Sequence, residues 1–132
     1  MPENGFPRKL RLLTASDFRA VFGHANYKVS CRNLLVFARD NDLANARLGL
    51  VIGKRNVSLA VQRNRIKRVL RTSFRLNQKL LTGLDIVILA RSELASLDNA
   101  ILAGRIDTLW RDLVRKSQAV GSRGQQATVS GS

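Results

Sequence analysis

One cysteine, one histidine, two prolines, nine carboxylates and no long apolar run are what 132 residues hold of these features. Each scarcity closes off a class of protein. Cys31 has no partner for an internal disulfide, and with His24 alone it cannot complete a four-ligand zinc cage. The opening M-P-E-N-G-F-P lacks the apolar core of a secretory signal, and no segment approaches the ~20 apolar residues of a membrane span. The expectation is a reduced, cytoplasmic, metal-independent protein with no membrane partner. Its length has room for one domain around one core. A hydrophobic share of 45% excludes wholesale disorder.

The shortage of carboxylates and histidine also limits chemistry. A nuclease acting alone needs a general base and either an acid or bound metals. His24 falls in an expected turn, and the acids are scattered, mostly at caps and turns. There is no two-metal cluster, glycine-rich phosphate loop or zinc motif. Read from its residues, the chain binds and does not itself cut. No catalytic residue, no protein-bound cofactor and no small-molecule substrate is assigned.

What the chain does have is positive charge. Lys and Arg number 23, for a formal net charge of +14. From Leu43 to Leu84 there are ten basic residues and no Asp or Glu, centred on A-V-Q-R-N-R-I-K-R-V-L-R at Ala60–Arg71. A helix face built only for stability would carry acids at i+3 or i+4, because each like-charge pair costs a few tenths of a kcal/mol. A polyanion explains the pattern better. Guanidinium groups dominate the stretch, and their planar donor forks suit RNA phosphates, guanine edges and stacking on bases.

Residues 1–7 read as a flexible N-terminus, residues 8–116 as the domain and residues 117–132 as a polar, disordered tail. Thr14, Ser16 and Asp17 start a short helix over Ser16–Phe22, closed by Gly23, with Phe18 and Phe22 on one face. Arg32–Arg39 reads as a strand with Leu34, Val36 and Ala38 facing one way and Leu35 and Phe37 the other. Asp40-Asn41-Asp42 would turn it into a second strand, Arg47–Ile52, most simply as an antiparallel hairpin. A long helix follows over Ser58–Leu81. Leu59, Ile66, Val69, Leu70, Phe74, Leu76 and Leu80 share its core side; Asn64, Lys67, Arg68, Arg71 and Arg75 share another, with Arg63 on the border and Arg65 elsewhere. Leu84–Ala90 is apolar enough to be a strand covered on both faces. Ser96 or Asp98 caps a last helix to about Lys116, with Trp110, like Phe74, in the core stripe. The order α-β-β-α-β-α predicts an α+β two-layer sandwich, a small mixed sheet with helices on one face. Phe18, Phe22 and Phe37 either pack in the core or line a trough for single-stranded nucleotides.

The segment V-S-L-A-V-Q-R-N-R-I-K-R-V-L-R, Val57–Arg71, resembles the hallmark of the protein subunit of bacterial ribonuclease P. T-A-S-D-F-R-A-V-F, R-L-G-L-V-I-G-K-R-N, L-D-I-V-I-L-A-R and T-L-W-R extend the likeness over roughly Arg8–Lys116. The resemblance implies a fold like the second domain of ribosomal protein S5, with an unusual left-handed β-α-β crossover. It implies a particle that removes the 5′ leader of precursor tRNA, with catalysis by an RNA subunit that binds most of the Mg2+. The protein's partners would be that RNA and the single-stranded leader. Carried over by position, Lys54, Arg55, Arg63, Asn64, Arg65, Lys67, Arg68 and Arg71 become the RNA-facing set. Phe18, Phe22 and Phe37 become the wall of the leader trough. Phe37 stands where Tyr is frequent and Leu34 near a frequent aromatic, so leader contact is expected to lean on charge more than on stacking. Two rivals are an RNA-binding ribosomal or assembly protein and a metal nuclease joining Asp85 to Asp17 or Asp107.

Overall fold

A computed structural model describes residues 10, 11 and 15–126. The elements are α1 (Ala15–Gly23), β1 (Tyr27–Ser30), β2 (Leu34–Asp40), β3 (Arg47–Val51), α2 (Ala60–Leu76), β4 (Leu84–Ala90) and α3 (Asn99–Gln126), with a 3-10 turn at Leu94–Ser96. The expected N-terminal segment 1–7, the candidate cap Thr14 and residues 127–132 of the expected tail lie outside the described residues.

β4 organises the fold. Its run Leu84-Asp-Ile-Val-Ile-Leu-Ala90 is buried nearly throughout, so it needs neighbours at both edges and cover on both faces. The sheet order is β1-β2-β4-β3, with β2 antiparallel and β3 parallel to β4. The expected antiparallel hairpin between the second and third strands therefore does not form. Its connection is held across the end of β4 instead. Asn41 Nδ2 donates to Asp85 Oδ1 at 2.8 Å and to the Asn45 carbonyl at 3.1 Å, and Asn41 N donates to the Gly83 carbonyl. β1, four residues of alternating burial, pairs with β2 and was absent from the expected order.

α2 and α3 cover one face. Ile66, Leu70 and Phe74 meet Leu102, Ile106 and Trp110 over Leu34, Val36, Ile86 and Ile88. Removing each such large side chain from water is worth about 1.5–3 kcal/mol. Phe74 and Trp110 meet edge-on at 6.2 Å. Trp110 Nε1 donates to Ser73 Oγ at 2.9 Å, and Ser73 Oγ donates to Asp107 Oδ1 at 3.2 Å, so the buried indole N–H is satisfied.

The two-layer reading holds for α2 and α3. α1 lies on the opposite face, where Val21 packs on Val87. The long helix stops at Leu76 and gives way to turns ending at Gly83, whose φ of +87° suits glycine. Leu59 at the N-cap and Leu76 at the last position of α2, both expected in the core, are exposed; past the break Leu80, also expected there, is exposed and Leu81 is buried instead. α3 is capped as expected by Asp98, whose Oδ1 accepts from Ile101 N at 2.8 Å. It runs ten residues past Lys116, to Gln126, through the first part of the expected tail. No proline interrupts that stretch, and each added residue extends a formed helix by one hydrogen bond.

Candidate nucleic-acid interface

Side chains alternate along strands, so the register sets which residues share the open sheet face. Three cross-strand rows result: Arg39–Asp85–Arg47, then Lys28–Phe37–Val87–Gly49, then Ser30–Leu35–Leu89–Val51. α1 crosses this face, burying Val21 and Val87 completely while Phe18, Phe37 and Leu89 stay partly open. Arg39 Nη1 reaches the Ala20 carbonyl at 3.4 Å.

Beside α1 the open sheet face carries an aromatic surface. Phe22, 42% exposed, meets Phe37 edge-to-face with ring centroids 5.7 Å apart. The Lys28 ammonium lies 5.7 Å from the Phe37 centroid, so a cation rims the aromatic surface. Leu35, Leu89 and Val51 continue that surface as half-open aliphatic residues. Phe18 turns toward a cleft of about 140 Å3 that it shares with Arg11, Lys67 and Arg71. The structure thus joins the aromatic candidates to the basic ones through that cleft. Arg11 enters through a parallel bridge to Leu48 that adds its backbone to the β3 edge.

The basic candidates divide by what they touch. Lys54 and Arg55 are exposed on the turn after β3, which is closed by Asn56 N and Val57 N donating to the Gly53 carbonyl and Asn56 Nδ2 to the Ala90 carbonyl. Asn64 and Arg68 are exposed on α2, and Lys67 and Arg71 are half-buried at the cleft. Lys54, Arg55, Lys67 and Arg68 enter no ion pair among the described residues. Arg63 and Arg65 are placed differently. Arg63 Nη1 donates to the carbonyls of Val57 and Ser58, both at 2.9 Å. Arg65 donates to Gln62 Oε1 and Asn99 Oδ1 at 2.8 Å and to the Ala95 carbonyl at 3.2 Å, tying α2 to the start of α3.

Arg11, Lys28, Val51 and Leu89 were not singled out from sequence. Strand alternation would have found Val51 and Leu89 once β3 was set beside β4. Arg11 and Lys28 carried no signal beyond their charge.

The carboxylates do not converge. Asp85 is buried and accepts from Arg47 Nε at 2.8 Å, from Arg47 Nη2 at 2.7 Å and from Asn41. The Asp85 hydrogen bonds raise the Arg47 pKa against the opposing effect of burial, with the charges of Asp85 and Asp17 adding to the rise. Asp107 is bonded to Ser73 on the α2–α3 seam. Among the described residues no three His, Cys, Asp or Glu gather as a metal-ligand set, and none of the described helices is long and apolar enough to cross a membrane. His24 is exposed in the bend after α1, and Cys31 is half-buried against the core.

Comparison with known folds defines the class first. The chain superimposes on the Staphylococcus aureus RNase P protein with a TM-score of 0.72, covering 77% of this chain and 93% of that one at 23% identity. Against the Thermotoga maritima RNase P protein the TM-score is 0.68 over 80% and 96% of the chains, at 28% identity. This is the α+β fold of bacterial RNase P proteins. The Ribonuclease P family model matches residues 6–114. A ribonuclease P protein component of Pseudomonas putida is 54% identical over 115 residues, spanning 87% of this chain and 86% of its own. One from Chromohalobacter salexigens is 48% identical over 124 residues, 92% and 97% of the two chains. The chain belongs to the ribonuclease P protein family, which acts in tRNA 5′ processing.

Proposed function

We propose that this chain is the non-catalytic, cytoplasmic protein subunit of ribonuclease P, binding the catalytic RNA through α2 and the single-stranded 5′ leader of precursor tRNA through the trough. The observation that carries the reading is the cleft at which Phe18 meets Lys67 and Arg71. It makes one continuous surface of a cationic helix flank and an aromatic-aliphatic platform.

The mechanism is electrostatic and geometric. Lys54, Arg55, Lys67, Arg68 and Arg71 supply fixed positive charge where the RNA subunit and the leader approach each other. Phosphate repulsion is offset there without diffusible ions. Asn64 adds a neutral donor and acceptor on the same flank. Arg63 and Arg65 set the shape of this surface, holding the turn before α2 and the start of α3 while keeping spare donors for RNA. Phe22 and Phe37 present ring faces and edges on which unpaired bases stack without sequence preference. Phe18 closes the cleft end, so a leader strand passing from platform to helix is held in register with the scissile phosphate. Among the described residues no carboxylates gather as a magnesium cage, and Asp85 is taken by Arg47 and Asn41. In this reading the metal chemistry of the reaction belongs to the RNA, and the protein's side chains bind and position.

Reconstitution with a bacterial ribonuclease P RNA at low magnesium tests this. Adding the protein should produce 5′ processing of a precursor tRNA that the RNA alone performs poorly there. Processing that is no faster with the protein than without it would refute the reading.

A further inference from the structure

Where α2 faces α3, a second hollow opens between the two helices. It has a volume of about 420 Å3, within the range of about 300–1,000 Å3 in which ligand pockets fall. Its lining is mostly apolar, with Val69 and Leu76 from α2 and Ala100 and Ala103 from α3. Leu76 is 81% exposed, which solvation alone does not explain on a surface this highly charged. Arg68, a member of the basic flank, forms one wall, so the hollow opens beside the surface assigned to RNA. At the rim stands Asp107, an acid on an otherwise cationic surface.

We propose that this groove receives one unpaired guanosine of the catalytic RNA, its base against Val69, Leu76 and Ala103, its phosphate on Arg68 and its Watson–Crick edge on Asp107. The inference rests on the RNA-subunit reading above and deepens it. A second copy of this chain is disfavoured as occupant, because two partners of net charge +14 repel. A carboxylate would repel phosphate, so what faces Asp107 must be a hydrogen-bond donor. Guanine alone among the four bases presents two adjacent donors there, N1–H and N2–H, matching the two oxygens of a carboxylate. Ser73 Oγ, donating to Asp107 Oδ1 at 3.2 Å, orients that carboxylate from below. Unpaired RNA bases are read in this way, splayed out and bonded on their Watson–Crick edges.

The test is footprinting of a bacterial ribonuclease P RNA with kethoxal, which adds across N1 and N2 of unpaired guanines, with the full-length protein bound. Wild-type protein should protect an unpaired guanine. Ala103→Leu, which fills the groove, and Asp107→Asn, which keeps an acceptor for Ser73, should each restore its reactivity while backbone protection elsewhere persists. Asp107→Asn should also weaken RNA binding about tenfold at fixed salt, the lower range of one bidentate base contact, with an unchanged salt slope. Electrostatics alone gives the opposite sign, since removing an acid should tighten binding to RNA. Binding without any guanine protection, protection that survives in both variants, or tighter binding by Asp107→Asn would each overturn the proposal. Failure of the wild-type protein to bind the RNA at all would overturn the reading beneath it as well.

Discussion

Neutralising the basic residues of α2 should separate into two effects that can be measured independently. Lys54, Arg55, Lys67 and Arg68 lie at the surface or at the cleft mouth and Arg71 lines the cleft with a contact of its own, while Arg63 and Arg65 donate to carbonyls and side-chain oxygens that shape the fold. Each phosphate neutralised contributes roughly 0.7–0.9 to the slope of log affinity against log salt, so five contacts give a slope of about −4. Affinity for the RNA subunit should then fall about 250-fold between 50 and 200 mM salt. The triple variant Lys67→Ala, Arg68→Ala, Arg71→Ala removes three of these contacts and should flatten the slope by about 2.4. Arg65→Ala instead breaks three internal hydrogen bonds. At about 0.5–1.5 kcal/mol each, discounted for their exposure, the loss is about 2 kcal/mol, or a thermal midpoint lower by about 8 °C. Its salt slope should change by less than about one. Filter binding across a salt series, with thermal denaturation of each variant, gives both numbers. If Arg65→Ala flattened the slope as much as the triple variant and left the midpoint unchanged, the division of roles would be refuted.

Asp85→Ala leaves Arg47 without its carboxylate in a partly buried position and should destabilise the fold by about 3–5 kcal/mol, measurable as a lower urea midpoint. A variant as stable as wild type would show that the pair does not hold β3 to β4. Tyr27 donates to Asp40 at 3.1 Å; burial first, then the Asp40 charge, then this hydrogen bond raise its pKa. An unfolded tyrosine ionises near pH 10, so this contribution is intact below about pH 10 and is lost as pH rises through the folded value. Tyr27→Phe should therefore lose less stability than wild type between neutral and strongly alkaline pH, and parallel curves would contradict this.

The α+β class was legible because periodicity shows in single segments. Leu84–Ala90 is too continuously apolar to be anything but a central strand, and Ala60–Leu76 separates apolar and basic arcs without a breaker. Pairing was not legible. Alternation in Leu34–Asp40 and Arg47–Val51 says which residues share a face but not which strand lies next door, and a short link favoured a hairpin. With β3 beside β4, Asn41 and Arg47 hydrogen-bond Asp85, about 40 residues downstream, a contact no local pattern reveals. The site divided in the same way. Phe18 and Phe22 share a face by local spacing, but spacing leaves open whether that face packs in the core or lines an open surface. The roles of Arg63 and Arg65 depend on carbonyls at Val57 and Ala95, which helical projection cannot see. Arg11 joined the cleft only because its backbone bridges to Leu48 at the edge of β3.

The central claim is that the α1–sheet trough holds the leader of precursor tRNA within the assembled particle. Its most direct test is the ratio of affinities for precursor and mature tRNA, measured with reconstituted holoenzyme carrying wild-type protein or the double variant Phe22→Ala, Phe37→Ala. Two lost stacking contacts, at about 1–3 kcal/mol each, should reduce the precursor preference by at least about 30-fold and leave mature tRNA binding unchanged. A precursor preference identical in the two particles would contradict the account.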